Sequence, residues 1–191
     1  MVRDEIDNTG GRKSFSEMWR KVREDYQTCG RHWSQPGFRA VAVYRFGVWA
    51  ADSGPLRPIL IRLYHFMYRY VRNHYGIDLY RTTQIGRRCW IAHHGGIVIH
   101  PKAVIGDDCL IRHNVTIGAA THDRAYEAPK LGNKVEIGVG AAILGSITVG
   151  DGARIGPGAI VMTNVPPGAT VFANPGRIIP PTSEPPKEDA K

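Results

Sequence analysis

Branched aliphatic residues recur at every sixth position through the second half of the chain, and that phase limits the fold more than any other feature. Ile, Leu or Val stands at 99, 105, 111 and 117, and again at 131, 137, 143, 149, 155 and 161. With Ile85 and Ile91 this makes twelve hexads. Each hexad contains a triplet such as Cys109-Leu110-Ile111 or Ala153-Arg154-Ile155, whose first and third residues share one side, as a strand requires. Three further residues, such as Gly106-Asp107-Asp108 or Gly150-Asp151-Gly152, make a corner. Ordinary strands do not hold a six-residue phase over such a distance. A stacked coil does, because every corner must land on the corner beneath it. The pattern predicts a parallel β-helix from about Ile85 to Val165, in four coils if three hexads close one turn. The 22 glycines and 13 prolines among 191 residues suit short strands and tight corners.

Two interruptions break the phase. Gly95-Gly96 adds two residues, and the segment from His122 to Lys130 must leave the coil as a loop. Insertions in repeat proteins gather on the functional face. The coil closes with Val165-Pro166-Pro167-Gly168.

Before the coil, residues 14–77 carry helical periodicity. Ser14 or Ser16 can cap a helix through SEMWRKVREDYQ, a second follows Pro36, and a third runs through LRPILIRLYHFMYRYVRNHYG. In the third, Leu60, Leu63, Phe66, Met67 and Tyr70 form one stripe, read as core or subunit packing. The expected organisation is a flexible segment at 1–13, helices at 14–77, the β-helix at 78–178 and a polar, proline-rich tail at 179–191 that cannot pack. The fold class is mainly β, with a small α-helical segment in front.

The net charge is +8, and basic residues crowd the part of the chain before the coil, at Arg12, Lys13, Arg20, Lys21, Arg23, Arg62, Arg69 and Arg72, read as solvated helix faces. No nucleic-acid module or aromatic-basic interleaving is present, so a nucleic-acid partner is not expected. Cys29, Cys89 and Cys109 show no CxxC pairing and read as free thiols in a reducing cytoplasm. Neither a signal-peptide pattern nor a membrane-spanning run is found. Peripheral contact with a membrane remains open.

The segments IGDDCLIRHNVTIG, VEIGVGAAILGSITVGDGARIGPGAIV and VPPGATVFANPGRII resemble the hexapeptide-repeat acyltransferases, with the serine acetyltransferases the nearest likeness. The likeness covers roughly residues 20–178 and includes PGFRAVAVYRFGVWA and AHHGGIVIH. It implies a left-handed coil, a homotrimer and active sites between neighbouring coils, where acetyl-CoA lies in a groove as co-substrate, with no metal. A helical region shorter than the family's puts its hexamer in doubt.

Acetyl transfer to a hydroxyl needs a base and donors for the oxyanion that forms. The resemblance places His93 at the family's catalytic histidine and Asp78 at the carboxylate that orients it. His122, in GAATHDRAYEAP, resembles the base of the galactoside and maltose acetyltransferases and is the rival. His94 and His100 are read as pocket-lining or solvated, and His113, beside Arg112, as an interface residue. For the cofactor the resemblance points to Gly118, Ala119, Gly138, Val139, Arg154 and Pro157, with Arg177 near the tail. The acceptor positions depart from the family. Ala92 replaces an aspartate, and Glu127 and Ala128 replace an Arg-His pair; a carboxylate at 127 would repel the carboxylate of an amino acid. Asp25 matches a substrate carboxylate only loosely. Three readings therefore stand: transfer to L-serine, transfer to a sugar hydroxyl, and a zinc protein of the gamma carbonic anhydrase kind using His93, His100 and His113. A scaffold with a decayed site is the non-catalytic alternative.

Overall fold

The computed structural model describes residues 14–177; the expectations for 1–13, for Arg12 and Lys13, and for the tail 179–191 lie outside that range. Five coils follow one another among the described residues. The first is β1 (Ile77–Leu79), β2 (Gln84–Ile85) and β3 (Trp90–Ile91), and the second is β4 (Ile97–Ile99), β5 (Val104–Ile105) and β6 (Leu110–Ile111). The third is β7 (Thr116–Gly118), β8 (Lys130–Leu131) and β9 (Glu136–Ile137), and the fourth is β10 (Ala142–Leu144), β11 (Thr148–Val149) and β12 (Arg154–Ile155). The last holds β13 (Ile160–Val161) and β14 (Thr170–Val171), with Val165 bridging to Val149. All ladders are parallel and give three faces: β1-β4-β7-β10-β13, β2-β5-β8-β11 and β3-β6-β9-β12-β14. The whole is a left-handed parallel β-helix, as expected.

In-register pairing stacks like on like. Ile91, Ile111, Ile137 and Ile155 form one buried column, and Ile99, Ile117 and Ile143 form another. Burying each such side chain is worth roughly 1.5–3 kcal/mol, so the prism is stabilised by many equal steps. The small first positions of the triplets explain two of the cysteines. Cys89 and Cys109 fill the slot that Val135 and Ala153 fill in later coils, and burial pushes the Cys109 thiol up to about 11. All three cysteines are buried and free.

The corner between the second and third faces carries its own ladder. Asp107, Asn133 and Asp151 each accept, through Oδ1, the backbone N–H of the preceding coil's corner: Arg87 at 2.7 Å, Asp107 at 2.8 Å and Asn133 at 2.7 Å. Glycine precedes each of these corners for lack of room. A Cβ on Gly132 would lie 2.1 Å from Asp151 Oδ1, and one on Gly150 would lie 2.4 Å from Pro167 N.

The first coil cannot pair its lower edge with another coil, and the helices cover it. Helix α1 (Phe15–Thr28) starts at Ser14, whose hydroxyl accepts from Ser16 N–H at 3.3 Å. Helices α2 (Pro36–Ala50) and α3 (Arg57–Tyr75) follow, the latter ended by Gly76 in the left-handed region at φ 62°. From α2, the Tyr44 hydroxyl donates to the Thr83 carbonyl at 2.7 Å and accepts from Ile85 N–H at 3.2 Å. Arg45 donates to the Ile85 carbonyl at 2.9 Å and to the Gly86 carbonyl. These side chains satisfy backbone groups that a missing coil would otherwise leave open. Gly37 permits the close approach, since a Cβ there would sit 2.0 Å from the Ile91 carbonyl oxygen.

Three expectations change. The coil begins at Ile77, one residue before the expected domain start and eight before the hexad phase becomes readable, and it has five turns where four were expected. Asp25 is no substrate ligand: it is 0% exposed, its two oxygens lie 2.9 and 3.4 Å from the Arg45 guanidinium, and no acceptor can reach it. The stripe on α3 is not core, which leaves subunit packing as the other half of that expectation. Tyr64 and Val71 form its buried face, while Leu63, Phe66 and Tyr70 are exposed and Leu60 and Met67 are half-buried.

Candidate active site

The corner between the third and first faces gathers the most chemistry. In the first coil it consists of Ala92, His93, His94 and the extra Gly95-Gly96, and in the second of Arg112, His113 and Asn114. Gly138-Val139-Gly140 and Gly156-Pro157-Gly158 occupy it above. Backbone bonds tie the corners together: Asn114 N–H to the Gly95 carbonyl, Gly140 N–H to the His113 carbonyl and Gly158 N–H to the Val139 carbonyl. Gly95, His113, Val139 and Pro157 thus stand in one column, spaced by the ~4.8 Å of neighbouring strands, and His93 sits beside its foot, in the corner that the two extra residues enlarge.

His93 adopts φ 69°, a left-handed conformation that side chains with a Cβ adopt at a cost. That turn leaves its imidazole exposed, edge-on to the His113 ring at a centroid distance of 5.5 Å. His113 Nδ1 is buried and has no hydrogen-bond partner among the described residues. Along the same corner lies a groove of about 510 Å³ lined by Arg112, Gly138, Val139, Arg154, Pro157 and Phe172, among others. Four of the expected cofactor residues therefore share one groove, with the base candidate on the same edge two coils below Val139. Glu136 lies in the groove too, 3.9 Å from the Arg154 guanidinium.

A second hollow, of about 540 Å³, opens on the first face and holds Asp78, Gly118, Ala119 and His100. Gly118 and Ala119 are thus separated from Gly138 and Val139 by a face of the prism. Asp78 accepts the Tyr68 hydroxyl through Oδ1, and burial together with that carboxylate pushes the Tyr68 phenol up to about 12, so it stays a donor. No hydrogen bond joins Asp78 to His93 among the described residues, and Asp78 Oδ2 has no partner there. His100 closes this hollow. Its Nδ1 lies 3.1 Å from Lys102 N–H and therefore accepts, so Nε2 carries the proton and donates to the Ala125 carbonyl at 2.9 Å. With Lys102 Nζ 4.7 Å over the Tyr126 ring, this fastens the inserted loop.

Within that loop His122 is exposed and its ring has no partner among the described residues, Glu127 is half-buried, and Ala128 packs on the core. His94 is exposed beside Tyr75, and Arg177 is exposed at the end of the described chain. His100 stands on a different corner from His93 and His113, so the three do not converge within one chain.

The family model of the bacterial transferase hexapeptide, six repeats, matches residues 128–162. Serine acetyltransferases of Synechococcus elongatus and Salmonella typhimurium are 35% and 38% identical over 119 and 118 residues, 62% of this chain in each case and 47% and 41% of theirs. The chain spans less than half the length of these curated relatives. Among solved structures, serine acetyltransferase isoform 3 of Entamoeba histolytica, in complex with cysteine, superposes with a TM-score of 0.74 at 26% identity, covering 87% of this chain and 63% of that one. The Vibrio cholerae serine acetyltransferase gives 0.71 at 29% identity, covering 85% and 65%. Residues 128–162 carry the bacterial transferase hexapeptide repeat, and the chain is similar to the serine acetyltransferases.

Three residues of the candidate site escape a linear reading. Arg112 follows Ile111 as Gly138 follows Ile137, so aligning the hexads by corner would have placed it in the groove. Phe172 follows Val171 in the same way. Tyr68 gives no such signal, because a helix residue ten positions before Asp78 meets it only through the packing of α3 on β1.

Proposed function

We propose that this chain transfers the acetyl group of acetyl-CoA to a hydroxyl of a small acceptor, with His93 as general base. The observation that carries the reading is the shared corner: an exposed imidazole at φ 69° stands on the same edge as the groove of Gly138, Val139, Arg154 and Pro157. In that groove the corner glycines leave backbone amides open to a pantetheine arm, and Arg112, Arg154 and Arg177 supply charge for the phosphates. His93 takes the acceptor's hydroxyl proton as its oxygen attacks the thioester carbonyl. The tetrahedral intermediate then collapses with loss of the CoA thiolate, which the imidazolium protonates. Asp78, fixed by Tyr68 with one oxygen left over, orients the imidazole. We place the site between coils of a homotrimer, with a hexamer as the larger alternative. Buried, unpaired thiols support a reducing, cytoplasmic setting.

L-Serine is the acceptor by likeness to the serine acetyltransferases. A sugar hydroxyl is the second reading, favoured by Glu127, Ala92 and Ala128, which offer no cation to an amino acid's carboxylate. Purified protein given acetyl-CoA with L-serine, and then with sugar hydroxyls, tests both. His93→Ala is expected to lower kcat by roughly 10²–10⁴, while His122→Ala leaves it within a few-fold. Absence of CoA release with every hydroxyl acceptor ends the proposal.

A further inference from the structure

Helix α3 presents two apolar faces, and the first coil uses only one. Tyr64 and Val71 are buried, with Tyr68 and Tyr75 beside them. Leu56, Ile59, Leu63, Phe66 and Tyr70, spaced three and four apart, are each 47–65% exposed. At 100° per residue they fall within an arc of roughly 80°. Arg62 and Arg69 border that stripe, with Arg57 and Arg72 further round, and all four are exposed. Arg57, Arg62 and Arg69 have no ion-pair partner among the described residues, and no acidic residue occurs between Ser53 and Ile77. Tyr70, with His74 stacked on it at 4.1 Å, adds an amphipathic ring of the sort that settles at a lipid headgroup boundary.

We propose that this face of α3 docks on the surface of an anionic phospholipid bilayer. Two needs must be met at once: cover for the apolar stripe, and negative charge for the arginines along it. A second α3 helix packed antiparallel meets the first and fails the second, because it would set arginines against arginines with no carboxylate between. An anionic bilayer meets both, taking the apolar side chains between the headgroups while phosphates receive the guanidinium groups. The binding is peripheral, since no helix among the described residues is long and apolar enough to cross a membrane. Tyr68, which lines one of the two hollows, falls on the side of α3 away from the stripe, and the proposal does not depend on the catalytic reading.

Flotation of the full-length protein with vesicles tests this without turnover. Vesicles of phosphatidylcholine containing phosphatidylglycerol are expected to carry the protein, and pure phosphatidylcholine vesicles are not. Salt at about 1 M, where the Debye length is ~3 Å, should release it. The pairs Arg62→Glu with Arg69→Glu, and Leu63→Ser with Phe66→Ser, should each lower the partition coefficient roughly tenfold or more. Lys130→Glu with Lys134→Glu, an equal change of charge on the coil, should leave it unchanged. Circular dichroism and Tm of each variant separate lost docking from lost folding. Equal binding to both vesicle types, or binding to neither, overturns the proposal. So does a wild-type assembly in sedimentation that Phe66→Ser halves, since the stripe would then be closed by another copy.

Discussion

The coil and its helical cap are stabilised in opposite ways. Each coil repeats the contacts of the one below: an isoleucine on an isoleucine, a corner side chain accepting from the previous corner's N–H. No single contact is special. The cap depends instead on a few side chains that occur once, chiefly the Asp25–Arg45 pair and Tyr44, which join α1, α2 and the first coil. Redundancy spreads a loss over neighbours, whereas a single buried ion pair concentrates it.

The sharpest way to break this contrast is Asp25→Ala. It strands the buried Arg45 guanidinium, so a loss of about 3–5 kcal/mol is expected, read as a fall in Tm of roughly 10 °C or more. Replacing both partners, Asp25→Leu with Arg45→Met, should recover much of that; no recovery would mean that Arg45's bonds to the Ile85 and Gly86 carbonyls matter more than the pair. Next comes Ile137→Ala in the third coil, expected to cost about 2–4 kcal/mol in denaturant unfolding. Val171→Ala, half-buried in the last coil, should cost under about 1 kcal/mol. Equal losses at the two positions would contradict a stack whose end is weaker than its middle. Gly150→Ala brings a Cβ to 2.4 Å from Pro167 N, and about 1–3 kcal/mol should be lost as the corner opens.

The smallest effect concerns the seam between the two regions. The hydrogen bond from Arg87 holds the Glu24 carboxyl of α1 below its ordinary value of 4.5. A depressed folded pKa means that the unfolded chain binds the proton first. The stabilisation is therefore complete above about pH 4.5 and disappears as pH falls through the lowered value. Glu24→Gln should flatten the decline of Tm between about pH 5 and 3; an unchanged slope would place the acid sensitivity elsewhere, with the Asp108–Arg88 pair the next place to look.

The same contrast decides what could be read without coordinates. The hexad phase was legible because each coil restates it, down to the loop after Thr121 and the two-residue excess at Gly95-Gly96. Only the first strand of the first coil was hidden, because five residues, Tyr80-Arg81-Thr82-Thr83-Gln84, part Leu79 from Ile85 with no glycine among them and no earlier hexad to set the phase. On α3 the periodicity was real but ambiguous: both faces are apolar, and only packing chooses Tyr64 and Val71 over Leu63 and Phe66. Asp25 misled for a related reason, since nothing linear links it to Arg45 twenty residues away. The residues expected to hold the cofactor at Gly138, Val139, Arg154 and Pro157 do come together, because a corner position repeats as faithfully as a core position. The relation of Asp78 to His93 lay beyond the pattern, as it depends on where Tyr68 draws the carboxylate.

The stacked corner of Gly95, His113, Val139 and Pro157, with His93 at its foot, behaves as a ruler graduated in whole coils. Inserting or deleting one complete turn would preserve every register and move the imidazole relative to the groove by a fixed step of ~4.8 Å. Reach between base and thioester in such a protein is therefore quantised, so a change of acceptor size has to be met by the inserted loop or by the side chains at the corner.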